Sequence, residues 1–120
     1  MEEAFKAGKI LFFAGGTGHP YFSTDTATVL RAVEIEAEAI LLAKAVDGIY
    51  DSDPKVNPEA VKYDEISIQE VIDQKLAAVD LTASILCLEN KMPMLVFGLN
   101  EENSIVETMS GNFTGTKVTV

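Results

Sequence analysis

The chain has 120 residues, enough for one domain with a single core. It carries 9 Lys+Arg against 19 Asp+Glu, a net charge of −10 with His neutral. Apolar residues at 48% and charged residues at 23% lie near globular averages and argue against disorder. With no Lys/Arg cluster to displace counterions, nucleic-acid binding through a basic face is disfavoured. Acidity leaves nucleotides open, because backbone N–H groups and a bound metal can hold their phosphates. No apolar run approaches the roughly 20 residues that span a bilayer. Met1-Glu2-Glu3 is acidic and unlike a secretory leader, and the single Cys87 excludes an internal disulfide. A cytoplasmic address is expected.

In chain order, Ile10–Ala14 is a short apolar run closed by Gly15, Gly16 and Gly18, and reads as a buried strand. From Thr24 to about Ala37 the period becomes helical, with Ala27, Leu30, Val33 and Ala37 on one face. Ser23 or Thr24 can cap that helix, and Asp25 sits in its first turn, where the helix dipole favours negative charge. Ala39–Val46 is nearly all apolar, as expected of a strand buried on both faces. Asp47-Gly48 marks a turn, and Asp51–Pro58 is a loop by composition. Ser67-Ile68-Gln69-Glu70 matches a capping box, followed by an apolar stripe of Ile68, Val71, Ile72 and Leu76. Asp80 can cap a further helix with Leu81, Ile85 and Leu88 facing inward. Met94–Leu99 reads as a strand, Asn100–Ser110 as a short helix ended by Gly111, and Thr116–Val120 as a terminal strand. Alternating strands and helices predict an α/β fold with a mainly parallel sheet. Ligands of such sheets collect at the carboxyl ends of strands, which points to Gly15–Gly18, Asp47–Asp53 and Asn100–Glu102.

Three constellations could carry chemistry. The first runs from Phe13 to Asp25: strand, glycine loop, helix start. Its glycines permit close backbone approach, Thr17, Ser23 and Thr24 supply hydroxyls, and the helix offers free N–H groups to an anion. It is not a Walker loop, since no Gly-Lys-Ser/Thr follows, nor a dinucleotide fingerprint, since Tyr21 replaces the third glycine. A plain strand-to-helix turn has the same pattern. The second is Lys44–Pro54, where Tyr50 could stack on a purine and Asp53 could bond a sugar or a metal-bound water; simple turn chemistry competes. The third is Asp80, for which an ordinary helix cap competes. His19, the lone histidine, has no triad partners in the sequence pattern. One His and one Cys make structural zinc a poor fit, and Cys87 on an apolar helix face reads as a buried small hydrophobe.

Gly15-Gly-Thr-Gly-His-Pro-Tyr-Phe-Ser-Thr-Asp25 closely resembles the signature of the bacterial uridylate kinases, within the amino-acid kinase superfamily. The likeness continues through Glu34–Ala37, Val46–Pro54, Lys62–Asp64, Asp80–Ala83 and Pro93–Phe97, nearly the whole chain. The Asp-Gly-Ile-Tyr…Asp-Pro piece is common to the superfamily, whereas the Gly-Thr-Gly-x-Pro-aromatic-Phe piece is specific to the uridylate kinases. The resemblance implies a three-layer α/β/α sandwich and transfer of the γ-phosphoryl of ATP to UMP, giving UDP for pyrimidine nucleotide synthesis, with Mg²⁺. It also implies a homohexamer for the full-length enzyme. It assigns UMP to Thr17, Gly18, His19, Pro20, Tyr21, Phe22, Ser23 and Thr24, and ATP to Lys44, Tyr50 and Asp53. Asp25 matches an acid that orients catalytic lysines, and Asp80 a recurring acid near the active centre. His19 and Tyr21 depart from the usual Asn and Phe, which implies changed contacts rather than a lost site. The resemblance places residues 1–120 as the C-terminal, nucleotide-binding part of such a domain. The lysine and glycine-rich elements of the family's N-terminal half have no counterpart in these residues. A non-catalytic nucleotide-binding or assembly module is the alternative. Another amino-acid kinase is disfavoured by Pro20-Tyr21-Phe22.

Overall fold

The computed structural model describes residues 1–120. Five helices and four strands form in the order α1 (Glu2–Lys6), α2 (Thr24–Glu34), β1 (Ile40–Lys44), β2 (Glu65–Ser67), α3 (Ile68–Asp73), α4 (Leu81–Glu89), β3 (Met94–Gly98), α5 (Ser104–Met109) and β4 (Thr116–Thr119). The strands make one open sheet in the order β1-β3-β4-β2. β1 pairs with β3 and β2 with β4 in parallel, while β3 and β4 run antiparallel. The sheet is thus mixed, with parallel pairings in the majority, as an α/β reading requires.

Register explains the core. Ile40, Met94 and Val118 lie side by side across three strands, and Ile66 faces Val118 on the fourth. With Val96 they form one apolar face, against which α2 sets Val29 and Ala32, α3 sets Val71, and α4 sets Ala83 and Cys87. The opposite face carries Leu41, Leu95 and Phe97 by strand alternation. α5 packs against β3 and lines a cleft with Phe97, so this second helical layer is thin.

The helix ends follow local chemistry. Ser23, Ser67 and Asp80 each accept a backbone N–H three residues on, from Thr26, Glu70 and Ala83. Ser67 forms its half of the capping box; the reciprocal bond, from Ser67 N–H to the Glu70 carboxylate, does not form. Three helices close with the paired 6→1 and 5→2 bonds of a Schellman turn on a left-handed residue that is not glycine. In α2 this residue is Glu36 (φ 56°), with Ala37 N–H donating to Ala32 O and Glu36 N–H to Val33 O. Lys75 (φ 53°) and Lys91 (φ 51°) close α3 and α4 in the same way.

α4 turns Ala83, Ser84 and Cys87 inward and leaves the expected Leu81 and Ile85 exposed. Four other departures from the sequence reading have clear causes. Ile10–Ala14 is not a strand: no neighbour pairs with it, and Ile10 and Phe12 stand 85% and 94% exposed. An apolar run becomes a strand only when another strand satisfies its backbone. The Ala39–Val46 segment shortens to Ile40–Lys44 and is not buried on both faces, because β1 is the edge of the sheet and leaves Leu41 exposed. β2 has only three residues, too few for a pattern, and exists because β4 pairs with it. α1 has no buried residue and no apolar stripe to announce it.

Candidate functional site

Parallel strands β1 and β3 end near the starts of α2 and α4, so the polar residues at those ends meet. Between Phe13 and α2 the chain turns through Gly15, Gly16 and Gly18, all with positive φ (93°, 63° and 76°). A side chain at these angles would be strained, so the loop depends on glycine for its path. Thr17 closes its tip: its hydroxyl accepts from His19 N–H at 3.1 Å and donates to His19 O. Tyr21 is also left-handed (φ 70°), with its ring fully exposed. Ser23 then caps α2.

Asp80 does more than cap. One oxygen accepts from Ala83 N–H at 2.9 Å; the other accepts from the Ser23 hydroxyl and, at 3.5 Å, from Thr26. A single carboxylate therefore ties the start of α4 to the end of the glycine loop and the first turn of α2. Asp25, in that same turn, takes both of its hydrogen bonds from the Lys44 ammonium, at 2.9 and 2.7 Å. Both side chains are largely sheltered, at 18% and 27% exposure. The sequence reading treated Asp25 and Lys44 as separate parts of the machinery; the fold joins them. The signal was available: a helix leading into a strand runs antiparallel to it, so its first turn lies near that strand's last residue.

A second cluster surrounds the Asp47-Gly48 turn. The Tyr50 hydroxyl donates to Asp47 Oδ1 at 2.7 Å. That bond to a carboxylate, followed by burial and the negative charges of Asp47 and Glu101, raises the Tyr50 hydroxyl above its ordinary pKa. Gly48 is required by crowding, since a Cβ there would meet Thr116 Oγ1 at 2.8 Å. Tyr50 and Asp53 border a cavity of about 400 Å³ whose far wall is Gln74–Ala78, just beyond α3. Its size and mixed lining suit a small organic ligand. Sequence reasoning missed the Gln74–Ala78 wall, because nothing local in that segment reports its approach to residues more than twenty positions earlier. Lys44 does not border this cavity. The Asn100–Glu102 strand end contributes Glu101 and Glu102 to the separate cleft below α5.

Comparison with known proteins follows this geometry. The family model described as the amino acid kinase family matches residues 1–98, and the chain belongs to that family. Solved structures extend the likeness to 98% of its length. A UMP kinase from Ureaplasma parvum is 41% identical over 98% of this chain and 51% of its own, with a TM-score of 0.89. A UMP kinase from Bacillus anthracis is 34% identical over 98% of this chain and 48% of its own, also at 0.89. A uridylate kinase from Archaeoglobus fulgidus is 33% identical over 87% of this chain and 50% of its own, at 0.72. The chain thus spans about half the length of the solved relatives it matches.

Proposed function

We propose that this chain is the C-terminal, nucleotide-binding part of a kinase that passes the γ-phosphoryl of ATP to UMP, giving UDP and ADP. One observation carries the reading. The uridylate-kinase-like loop Thr17–Thr24 leads directly into the Asp25–Lys44 pair and is braced by Asp80, within a chain 41% identical to a UMP kinase. In the reaction an oxygen of the UMP phosphate forms a bond to the γ-phosphorus as the bond to the ADP oxygen breaks. Transfer of this kind depends on positioning and on positive charge at the phosphoryl oxygens.

In this reading Thr17–Thr24 holds UMP through backbone N–H groups and hydroxyls. The cavity beside Tyr50 and Asp53 takes the base and sugar of ATP. Asp25 holds the Lys44 ammonium at the strand end, and Asp80 keeps the loop and both helices in register. Mg²⁺, implied by the family resemblance, would enter with the ATP phosphates, which leave only one or two carboxylates for the protein to supply; no group of three acidic, His or Cys side chains forms a cage of its own, and Asp25 is bonded to Lys44 and Asp80 to Ser23 and α4. No step is assigned to it. Assembly into a homohexamer and a cytoplasmic address belong to the same reading.

The competing reading, a nucleotide-binding module without catalysis, draws on one feature. Lys44 is the cation at the strand end, and its charge is already matched by Asp25. Calorimetry and turnover separate the two. UMP and ATP are each expected to bind the chain, with Thr24→Ala weakening UMP more than ATP. UDP formation is expected to be weak alone and to rise when the N-terminal half of a UMP kinase is supplied, and Asp25→Asn should then lower turnover more than binding. Loss of UMP binding would refute the substrate assignment, and robust turnover by the chain alone would refute the need for a second half.

A further inference from the structure

Lys62 has no place among the site residues assigned above, yet the fold sets it against the turn that carries Tyr50. Asp51 N–H donates to Val61 O at 3.0 Å, and Tyr63 N–H to Ile49 O at 2.8 Å. These two bonds join the stretch 49–51 to the stretch 61–63 as a short antiparallel ladder. Within it Tyr50 and Lys62 stand directly opposite one another, flanked by the two bonds and not joined by them. A pair of this kind is the closer one in a ladder. Both side chains leave from one face, with Cβ atoms about 5 Å apart.

The two side chains meet at one carboxylate. Tyr50 donates its hydroxyl to Asp47 Oδ1, and the Lys62 ammonium stands 4.0 Å from Asp47 Oδ2. Lys62 is itself anchored. Its ammonium donates to Thr114 O at 2.6 Å, and its stem lies over Gly48, where an added Cβ would meet Lys62 Cδ at 2.9 Å. The side chain is only 25% exposed, so its charge acts on Asp47 with less screening than at an open surface. Glu101 and Asp47 both crowd Gly98, so Lys62 brings positive charge to an acidic corner. The chain of contacts runs from Thr114 through Lys62 and Asp47 to the Tyr50 ring, which borders the cavity of about 400 Å³. Lys62 does not border that cavity and reaches it through Asp47 and Tyr50.

We propose that Lys62 is a positioning residue for nucleotide binding: it holds Asp47 from the side away from Tyr50 and so fixes the Tyr50 ring as a wall of the cavity. The role rests on the reading of that cavity as the place of the ATP base and sugar. Calorimetry with ATP and with UMP on the full 120-residue chain tests it. Lys62→Met keeps an apolar stem over Gly48 and removes the charge. It should weaken ATP about fivefold or more and leave UMP unchanged. The loss should persist at about 0.5 M salt, where screening acts within roughly 5 Å, because it comes from a displaced ring and not from long-range attraction. Lys62→Arg, which keeps the charge, should restore the affinity. In a Tyr50→Phe background, which cuts the same link at its other end, Lys62→Met should cost little more. Lys62→Gln drops the charge but keeps a donor for Thr114 O, and gives the same test should Lys62→Met fail to fold by circular dichroism. Unchanged ATP affinity, equal losses for ATP and UMP, a loss that high salt abolishes, or additive losses with Tyr50→Phe would overturn the role of Lys62 and leave the cavity's assignment standing. Absence of ATP binding by the unaltered chain would instead refute that assignment, and the role with it.

Discussion

Asp80 illustrates how one side chain can serve a helix and a loop together. As a cap its carboxylate is worth about 1 kcal/mol; the bonds from Ser23 and Thr26 add a tie that a cap alone lacks. Asp80→Ala should lower unfolding free energy by about 1–2 kcal/mol in urea titration. It should also speed chymotryptic cleavage at the exposed Tyr21. A stability loss with unchanged cleavage would reduce Asp80 to a cap. Cys87 behaves oppositely, through isolation. Burial against α2, α3 and the sheet pushes its thiol up from 9.0 to about 11. The folded chain should therefore resist iodoacetamide at pH 8 and react when unfolded by urea. The sign of the linkage follows. The unfolded thiol ionises first as pH rises, so this group favours folding below pH 9 and that contribution declines toward about 11.

At the scale of elements, β4 is held by more than its ladder. Thr116 at its start is fully buried; its hydroxyl accepts from Ile49 N–H at 2.9 Å and donates to Tyr63 O. This joins the Asp47–Tyr50 turn and the segment leading into β2 to the middle of the sheet. Thr116→Val keeps the shape but leaves the Ile49 N–H without a partner. A loss of about 1–3 kcal/mol is expected, with faster amide exchange at Ile49 as the specific readout. The caps at Ser23, Ser67 and Asp80 were legible in the sequence, because each needs only a side chain and a backbone N–H three residues away. The Schellman turns at Glu36, Lys75 and Lys91 were not, since no glycine marks them. Their left-handed residues are set by the packing of Ala37, Leu76 and Met92, each of which returns its N–H to the helix and its side chain to the core.

For the molecule as a whole, charge and edge geometry dominate. Nineteen acids against nine bases leave a self-repelling surface, with few ion pairs to offset it. Raising salt from about 0.02 to about 0.2 M should therefore raise the urea midpoint of unfolding, as screening shortens from beyond 20 Å to below 10 Å. A fall would mean that the Lys44–Asp25 pair outweighs the net repulsion. The open β1 edge belongs to the same scale: the sheet ends there because nothing in these residues continues it.

The division between sequence and tertiary structure follows the reach of each interaction. Sequence alone determined the α/β alternation, the helix caps, the glycine loop at Gly15–Gly18 and the kinship of the Thr17–Asp25 motif, because periodicity, caps and turns act within a few residues. Tertiary structure decided that Ile10–Ala14 has no partner and that β1 is an edge. It also decided that β2 exists, that Asp25 and Lys44 share one ion pair, and that Gln74–Ala78 faces Tyr50. Each depends on which distant backbone arrives alongside, and a strand's hydrogen bonds, unlike a helix's, are completed by a neighbour.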